Sequence, residues 1–137
     1  MVYICPVCSI DSSSHSFYKI PVPNTHIVHF YANPAKSTKY NDKENIINHV
    51  KGMLLDHKNN DWNLIIDCQG LEMKHVLETE TAIELTKMIN KQFADKLQNV
   101  IIINPTTLID ITLKIVTPFL DKKVREKIII EKNRTAN

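Results

Sequence analysis

Glycine is nearly absent from this sequence, whose 137 residues include only Gly52 and Gly70. Loops that cradle a phosphate group need several glycines, because tight turns and close approach of the backbone to the ligand leave no room for side chains. Two isolated glycines cannot form a Walker loop or a dinucleotide-binding fingerprint, and the Gly-x-Ser-x-Gly nucleophile elbow is also absent. The sequence therefore excludes the commonest nucleotide-binding and serine-hydrolase motifs.

Long apolar runs, strong net charge and paired cysteines are lacking as well. No run approaches the roughly 18 apolar residues that span a bilayer, and the N-terminus has no signal-peptide pattern. The net charge of +2 is too small to indicate a nucleic-acid surface. Three cysteines, an odd number, argue against a disulfide framework and fit a reducing compartment. We expect a cytoplasmic protein that binds no nucleic acid.

A strand–helix–strand pattern dominates the middle of the chain. The apolar run at residues 62–68 predicts a strand that ends at Gln69-Gly70, and residues 100–103 predict a second strand that ends at Asn104-Pro105. Consecutive apolar residues at 64–66 are typical of a parallel strand covered on both faces. Between the strands, Thr81-x-x-Glu84 predicts a capping box at the start of a helix. This pattern predicts a right-handed βαβ unit.

The rest of the chain completes an α/β domain. Strands are predicted at residues 17–20, 25–32 and 127–131, a helix at 42–58 and helical turns at 121–126. We expect a mixed, mostly parallel sheet flanked by helices. The predicted organisation is an N-terminal extension with an edge strand at 1–25, the α/β domain at 26–132 and a frayed tail at 133–137.

The segment 106–120 is unusually apolar for a surface helix. On a helical wheel of roughly 100° per residue, its apolar side chains cover an arc of about 200°. A helix that packs on one sheet needs an apolar stripe only a little wider than about 100°. The extra width requires a second partner, which is another layer of the protein, an apolar ligand, another subunit or a membrane surface.

Two groups of residues are candidates for a chemical site. Cys5 and Cys8 have the spacing of zinc ligands and could be joined by His15, His26 or His29, but a zinc site typically uses two cysteine pairs and only one exists. His26 and His29 would point to opposite faces of the predicted strand. A redox Cys-x-x-Cys opens a helix after a strand, and this pair lies at the extreme N-terminus. We assign no metal ligand and no cofactor.

Asp67 ends a central strand, where α/β proteins often place ligand sites. A catalytic role needs a matched base or nucleophile, and the sequence offers none. We expect Asp67 to cap the turn at Gly70 or to bond nearby backbone. No catalytic residue is assigned, and the chain is not predicted to be an enzyme.

The order of the motifs resembles the lipid-binding domain of the Sec14 (CRAL-TRIO) family over roughly residues 25–132. That family has apolar-Asp-x-x-Gly, then Tyr-Pro-Glu-Arg-apolar, Ile-Asn-x-Pro, Lys-Pro-Phe-Leu-Asp and Lys-Ile. The matching stretches here are Ile66-Asp67-Cys68-Gln69-Gly70, Phe93-Ala94-Asp95-Lys96-Leu97, Ile103-Asn104-Pro105, Thr117-Pro118-Phe119-Leu120-Asp121 and Lys127-Ile128.

The resemblance implies a Sec14-like fold whose sheet forms the floor of an apolar pocket, with the segment after Asn104-Pro105 as a mobile gate. It implies lipid contacts from the apolar side chains of that segment, which are Leu108, Ile111, Leu113, Ile115, Val116 and Phe119. In phosphatidylinositol-binding members an acidic residue and a lysine contact the headgroup, and the motifs place these at Asp95 and Lys127.

The departures favour a particular subgroup. Residues 1–25 do not match the helical domain that precedes the lipid domain, and Phe93-Ala94 replaces Tyr-Pro. The chain looks like the short Sec14-like modules of GTPase-activating proteins and BCH-type scaffolds. We therefore expect a non-catalytic lipid-binding module, with phosphoinositides as candidate ligands, peripheral to membranes. The alternative is an interaction module that binds a Rho/Ras-type small GTPase or forms a homodimer through its apolar helix.

Overall fold

The computed structural model describes residues 2–131, and these form one five-stranded sheet with helices packed on it. The strands are β1 (Phe17–Ile20), β2 (Val28–Ala32), β3 (Trp62–Asp67), β4 (Leu97–Ile103) and β5 (Ile128–Ile130). They lie in chain order across the sheet, with β1 antiparallel to β2 and the other neighbours parallel. The predicted mixed, mostly parallel α/β sheet is confirmed.

Within residues 2–131, six α-helices connect or precede the strands. They are α1 (Pro6–Ile10), α2 (Lys43–Asp56), α3 (Met73–Val76), α4 (Thr79–Gln92), α5 (Thr107–Val116) and α6 (Lys122–Arg125). The three longest contact one another in series, α2 with α4 and α4 with α5, so they form one layer. This arrangement follows from right-handed crossovers between parallel strands in sequential order, which place every connecting helix on the same side.

The two faces of the sheet differ in burial. Phe30, Leu64 and Val100 are neighbours in register and buried in the core. The next row along the strands runs through Tyr18, Tyr31, Ile65, Ile101 and Ile129, and its end residues are 48% and 44% exposed. Ile65 in the middle of that row is only half-buried. The expectation that both faces are covered is therefore not met within residues 2–131.

The predicted start of the central helix is wrong. Helix α4 begins at Thr79 with Glu78 as its N-cap, so Thr81 lies inside the first turn and is buried. The helix ends at Gln92, a short 3₁₀ turn follows, and Leu97 already belongs to β4. The periodic apolar pattern continues from α4 into β4 because both pack on the same core, which hides the boundary from a sequence reading.

Proline divides the apolar segment 106–120. Helix α5 ends at Val116, and residues Thr117–Phe119 form a 3₁₀ turn around Pro118. Proline has no N–H to donate and clashes with the preceding turn of an α-helix, so the regular helix stops before it. The apolar side chains of this segment are therefore divided between two short elements, α5 and the 3₁₀ turn.

The N-terminal residues are part of the ordered domain. The first helix, α1, and the strand β1 both lie within residues 2–25, and β1 pairs along its whole length with β2. The predicted frayed tail at 133–137 lies outside the described residues. No helix in the described part of the chain is both long and apolar enough to span a bilayer.

Candidate functional site

A cavity of about 310 Å³ lies between the sheet and the helix layer. The floor of the cavity is formed by apolar side chains of β3, β4 and β5. These side chains are Leu64, Ile66, Val100, Ile102 and Ile128. Side chains of α4 and α5 form its roof. The volume is at the lower end of the ~300–1,000 Å³ typical of small-molecule sites. The volume therefore limits the cavity to a small ligand, and the apolar floor suits a mostly apolar one.

Helix α4 supplies a wall of the cavity. Ala82, Leu85 and Ile89 lie on its apolar stripe and line the space. The sequence pattern that identifies this stripe is the same for a helix packed on a sheet and for a helix that faces a ligand. The predicted lipid-binding set includes none of these three residues, because the pattern does not distinguish the two cases.

Several polar side chains lie together on one side of the cavity, whereas Thr86 of α4 and Thr112 of α5 line it elsewhere. His15, Ser37, Tyr40, His49 and His75 line the cavity and come from the segments near β1 and β2 and from α3. The opposite side, near β4 and β5, is lined by the apolar Val116, Leu120, Val124 and Ile128. The surface of the cavity is thus overwhelmingly apolar, and the side with these five residues is its more polar end.

The predicted lipid-binding residues of 106–120 divide into two groups. Leu113 and Val116 line the cavity, together with Ile109 and Thr112 of the same helix. Ile111 and Phe119 are 41% and 36% exposed. Leu108 and Ile115 are half-buried, and neither they nor the exposed pair line the cavity. One helix therefore presents apolar side chains both inward and outward, as its wide apolar arc suggested.

The two predicted headgroup residues lie near the amino ends of the parallel strands β4 and β5. This edge of the sheet is opposite the carboxyl ends of the strands, from which the chain continues into α3 and α5. Asp95 is exposed in the turn before β4, and Lys127 immediately precedes β5. The Lys127 Nζ donates a hydrogen bond to the Ala94 carbonyl at 3.2 Å, which brings the lysine beside the turn that carries Asp95. Neither lines the main cavity, whereas Asp95 lines a smaller one of about 180 Å³ beside Trp62.

Asp67 ties together the ends of three strands. Its carboxylate accepts hydrogen bonds from the Tyr31 hydroxyl at 2.6 Å, the Asn104 side-chain amide at 2.9 Å and the Gln69 backbone amide at 3.0 Å. The last bond forms the predicted turn cap, and Gly70 follows with φ of 85°, a conformation that favours glycine. Asp67 thus has a structural role.

These bonds determine the protonation of the group. Burial alone would raise the pKa of Asp67, but the hydrogen bonds from Tyr31, Asn104 and Gln69 stabilise the carboxylate and hold its pKa below the ordinary value. Burial, together with the bond to Asp67, raises the pKa of Tyr31 to about 12. The pair is therefore a carboxylate and a neutral phenol at neutral pH, with no proton poised for transfer.

Comparison with protein families gives a match over most of the chain. The family model described as CRAL/TRIO domain matches residues 26–137. Among curated proteins, the "CRAL-TRIO domain-containing protein T23G5.2" of Caenorhabditis elegans is 20% identical over 71 residues, which are 50% of this chain and 10% of that protein. The sequence agreement thus covers a small part of that relative.

A solved structure is similar in fold. The structure titled "Crystal structure of Sfh5" superposes with a TM-score of 0.66 at 9% identity, over 89% of this chain and 50% of that chain. At this identity the likeness concerns the fold alone. The chain spans half of the length of that structure.

Proposed function

Because the chain belongs to the CRAL/TRIO domain family, we propose that it is a non-catalytic lipid-binding module that holds a single apolar chain in the cavity between its sheet and α5. The observation that carries the proposal is the cavity itself, which has an apolar lining at the β4–β5 side and polar groups at the other. An acyl chain would occupy the apolar end, where burial of each CH₂ contributes about 0.8 kcal/mol.

The size of the cavity favours one chain over two. Its 310 Å³ are close to the minimum for a ligand site of this kind. A diacyl phospholipid would need α5 to move outward, as a gate does. A fatty acid or another single-chain amphiphile fits without such a movement, and its polar group would face Tyr40 and His75.

Inward and outward residues of α5 should have separable roles. Leu113→Ala removes a side chain that lines the cavity, and we expect it to weaken binding of a fluorescent fatty acid by about 1–2 kcal/mol, or roughly 5- to 30-fold in Kd. Ile111→Ala on the same helix is the matched control, because its side chain is 41% exposed and outside the cavity. Equal losses in both folded variants would contradict this location of the ligand.

The outward residues are proposed to contact a membrane surface. Ile111 and Phe119 are exposed apolar side chains on the segment that would move as a gate. Vesicle co-sedimentation should show the reverse ranking of the two variants, with Ile111→Ala reducing association with phosphatidylcholine vesicles and Leu113→Ala having little effect. A similar result for both variants would show that the two faces do not act separately.

Separately from the ligand in the cavity, which neither residue lines, Asp95 and Lys127 are proposed to contact a phosphoinositide headgroup at a membrane surface, Lys127 through its phosphates and Asp95 through its hydroxyls. A surface lysine near an anionic bilayer contributes about 1 kcal/mol whatever the lipid, whereas a hydrogen bond to a charged group contributes about 1.5–3 kcal/mol. Lys127→Ala should therefore weaken binding to phosphoinositide vesicles more than Lys123→Ala, an exposed lysine four residues earlier on α6. Equal weakening of binding by the two substitutions would show that Lys127 contributes only a general electrostatic attraction.

The exposed pair also supports a second candidate function, in which α5 docks a Rho/Ras-type small GTPase or a second copy of the chain. Sedimentation velocity at several concentrations tests self-association, since a lipid carrier can stay monomeric whereas the interaction module requires a dimer or a complex with its partner. A concentration-dependent dimer that Ile111→Asp dissociates would favour the interaction module over the lipid-binding one.

A further inference from the structure

Four potential metal ligands converge beside the polar end of the cavity. Cys5, Cys8, His15 and His49 each offer one ligand atom, and these four atoms all lie within 4.8 Å of one another. The first two residues flank the start of α1, His15 lies in the loop before β1, and His49 is in the middle of α2. We propose that these side chains form a structural Zn²⁺ site that holds the N-terminal segment, residues 2–16, against α2.

The distances between ligand atoms match a tetrahedral ion. The Nδ1 atom of His15 is 3.6 Å from the Sγ atom of Cys5 and 3.5 Å from that of Cys8. The Cys8 Sγ atom is 3.6 Å from the Nδ1 atom of His49. Zinc bonds of about 2.3 Å to sulfur and about 2.0–2.1 Å to nitrogen, at tetrahedral angles, separate a sulfur and a nitrogen ligand by about 3.6 Å.

Hydrogen bonding alone explains the arrangement less well. Both sulfur atoms approach the same Nδ1 atom of His15, and that nitrogen has a single lone pair that can accept from only one thiol. An ion at the centre would contact all four atoms through one lone pair from each. The short separations also favour one ion over a two-iron cluster, in which cysteine and histidine ligands bind different irons.

The outer contacts of the histidines orient their Nδ1 atoms toward the centre. The Nε2 atom of His49 lies 2.8 Å from the Phe17 carbonyl, which can only accept, so Nε2 carries the hydrogen and Nδ1 has the free lone pair. The Nε2 atom of His15 is buried without a hydrogen-bond partner and lies 3.8 Å from the Asp42 carboxylate. A metal bound at Nδ1 would strengthen attraction to Asp42, the usual second contact of a metal-binding histidine.

The protein environment suits a closed site. Cys5, His15 and His49 are each less than a tenth exposed, and the Cys8 amide donates to the Cys5 sulfur at 3.5 Å. Two sulfur and two nitrogen ligands in tetrahedral geometry select zinc over magnesium or calcium, which prefer oxygen. Four protein ligands leave no open position for catalysis, so the role is structural.

Metal content of the purified chain tests the proposal. After exposure to a weak chelator and gel filtration, mass spectrometry of the elements should find one zinc per chain. Cys8→Ser and His49→Ala should each lose it. Cys68→Ala and His26→Ala are matched controls, since they remove a cysteine and a histidine outside the cluster, and both should retain one zinc. Zinc loss in the controls as well, or no zinc in the wild type, would overturn the proposal.

A second measurement avoids dependence on variants that fail to fold. Metal-free wild-type chain should bind one Co²⁺, with the intense visible bands of tetrahedral cobalt and an ultraviolet charge-transfer band from thiolate. Addition of Zn²⁺ should abolish both. Weak octahedral bands without the thiolate transition would show that the cysteines do not bind the ion and would overturn the proposed site.

Discussion

Single residues fix the geometry where the strands end. Asp67 collects hydrogen bonds from β2, from the turn after β3 and from the residue after β4. Asn104, one of the donors, has a left-handed φ of 49°, which asparagine tolerates better than most residues. The Asp67-x-x-Gly70 motif therefore positions the two loops that lead into α3 and α5. Its carboxylate has no other role among the described contacts.

Removal of the Asp67 carboxylate should destabilise the fold in a pH-dependent way. Asp67→Ala leaves three hydrogen-bond donors without their acceptor, and we expect a loss of about 1–3 kcal/mol or more in the free energy of unfolding at neutral pH. Because the folded pKa of Asp67 is lowered, its stabilising contribution is complete above the unfolded value of about 3.9 and is lost as pH falls through the folded value.

Urea unfolding across a pH series measures this effect. The stability difference between wild type and Asp67→Ala should shrink below about pH 4, the ordinary aspartate pKa. Asp67→Asn is the matched comparison, because its amide oxygen can still accept hydrogen bonds but the group cannot ionise. Its loss relative to wild type should be smaller at neutral pH and should shrink over the same pH range. A difference that stays constant down to pH 2 would contradict the assignment of the carboxylate as the stabilising form.

At the scale of the elements, the packing of the N-terminal segment on α2 depends on one small residue. Helix α2 carries Gly52, and a Cβ atom there would lie 2.3 Å from the ring of Tyr3. No real Cβ makes so close a contact, so the glycine allows the N-terminal segment to cross the helix at this point. His49 lies one turn earlier on α2, and its ring makes an edge contact with Tyr3 at 6.2 Å between centroids.

Gly52→Ala should displace the N-terminal segment without altering any proposed metal ligand. Alanine favours the helix by about 1 kcal/mol over glycine, so a variant with only that effect would be more stable. We expect a net loss instead, because the Tyr3 ring must move. Thermal unfolding of Gly52→Ala, Tyr3→Ala and the double variant tests this expectation. The double variant should be more stable than Tyr3→Ala alone, because alanine then favours the helix without a clash. A double variant that is no more stable than Tyr3→Ala would contradict this packing.

At the scale of the whole molecule, the N-terminal segment closes the polar end of the cavity. His15 and His49 belong both to the cavity lining and to the proposed zinc site. The backbone amides of Thr38 and Lys39 donate to the carbonyls of Ser13 and Ser14, which joins the same segment to the loop before α2. The metal ligands and these bonds together attach residues outside the βαβ core to the sheet and its helices.

Metal removal should therefore loosen one region and not the rest. With a strong chelator, hydrogen exchange should rise at residues 2–16 and at the amides of Thr38 and Lys39, while β3 and β4 remain protected. Thermal stability should fall and return when zinc is added. Unchanged exchange in this region after complete metal removal would show that hydrogen bonds and packing alone hold the segment.

Much of the architecture was predictable because the controlling signals are local. Apolar runs ended by Gly70 and Pro105 identified β3 and β4, and periodic apolar residues identified α2 and α4. The predicted capping box at Thr81 failed because Glu78 begins the helix earlier, and sequence patterns locate boundaries poorly when consecutive elements pack on one core. The division of α5 into inward Leu113 and outward Ile111 also depends on where the neighbouring elements lie.

By itself, the sequence determined the fold class, the order of the elements and the motifs typical of the CRAL-TRIO family, because strand and helix periodicity and turn residues act over a few positions. Only the tertiary structure decided which side chains share a space. His49 is 34 residues from His15, and their rings meet at 5.3 Å because α2 packs beside the N-terminal segment. The spacing of residues along the chain does not reveal such a contact. The contact arises because two elements that are distant in sequence pack together, and local sequence patterns do not specify their relative position.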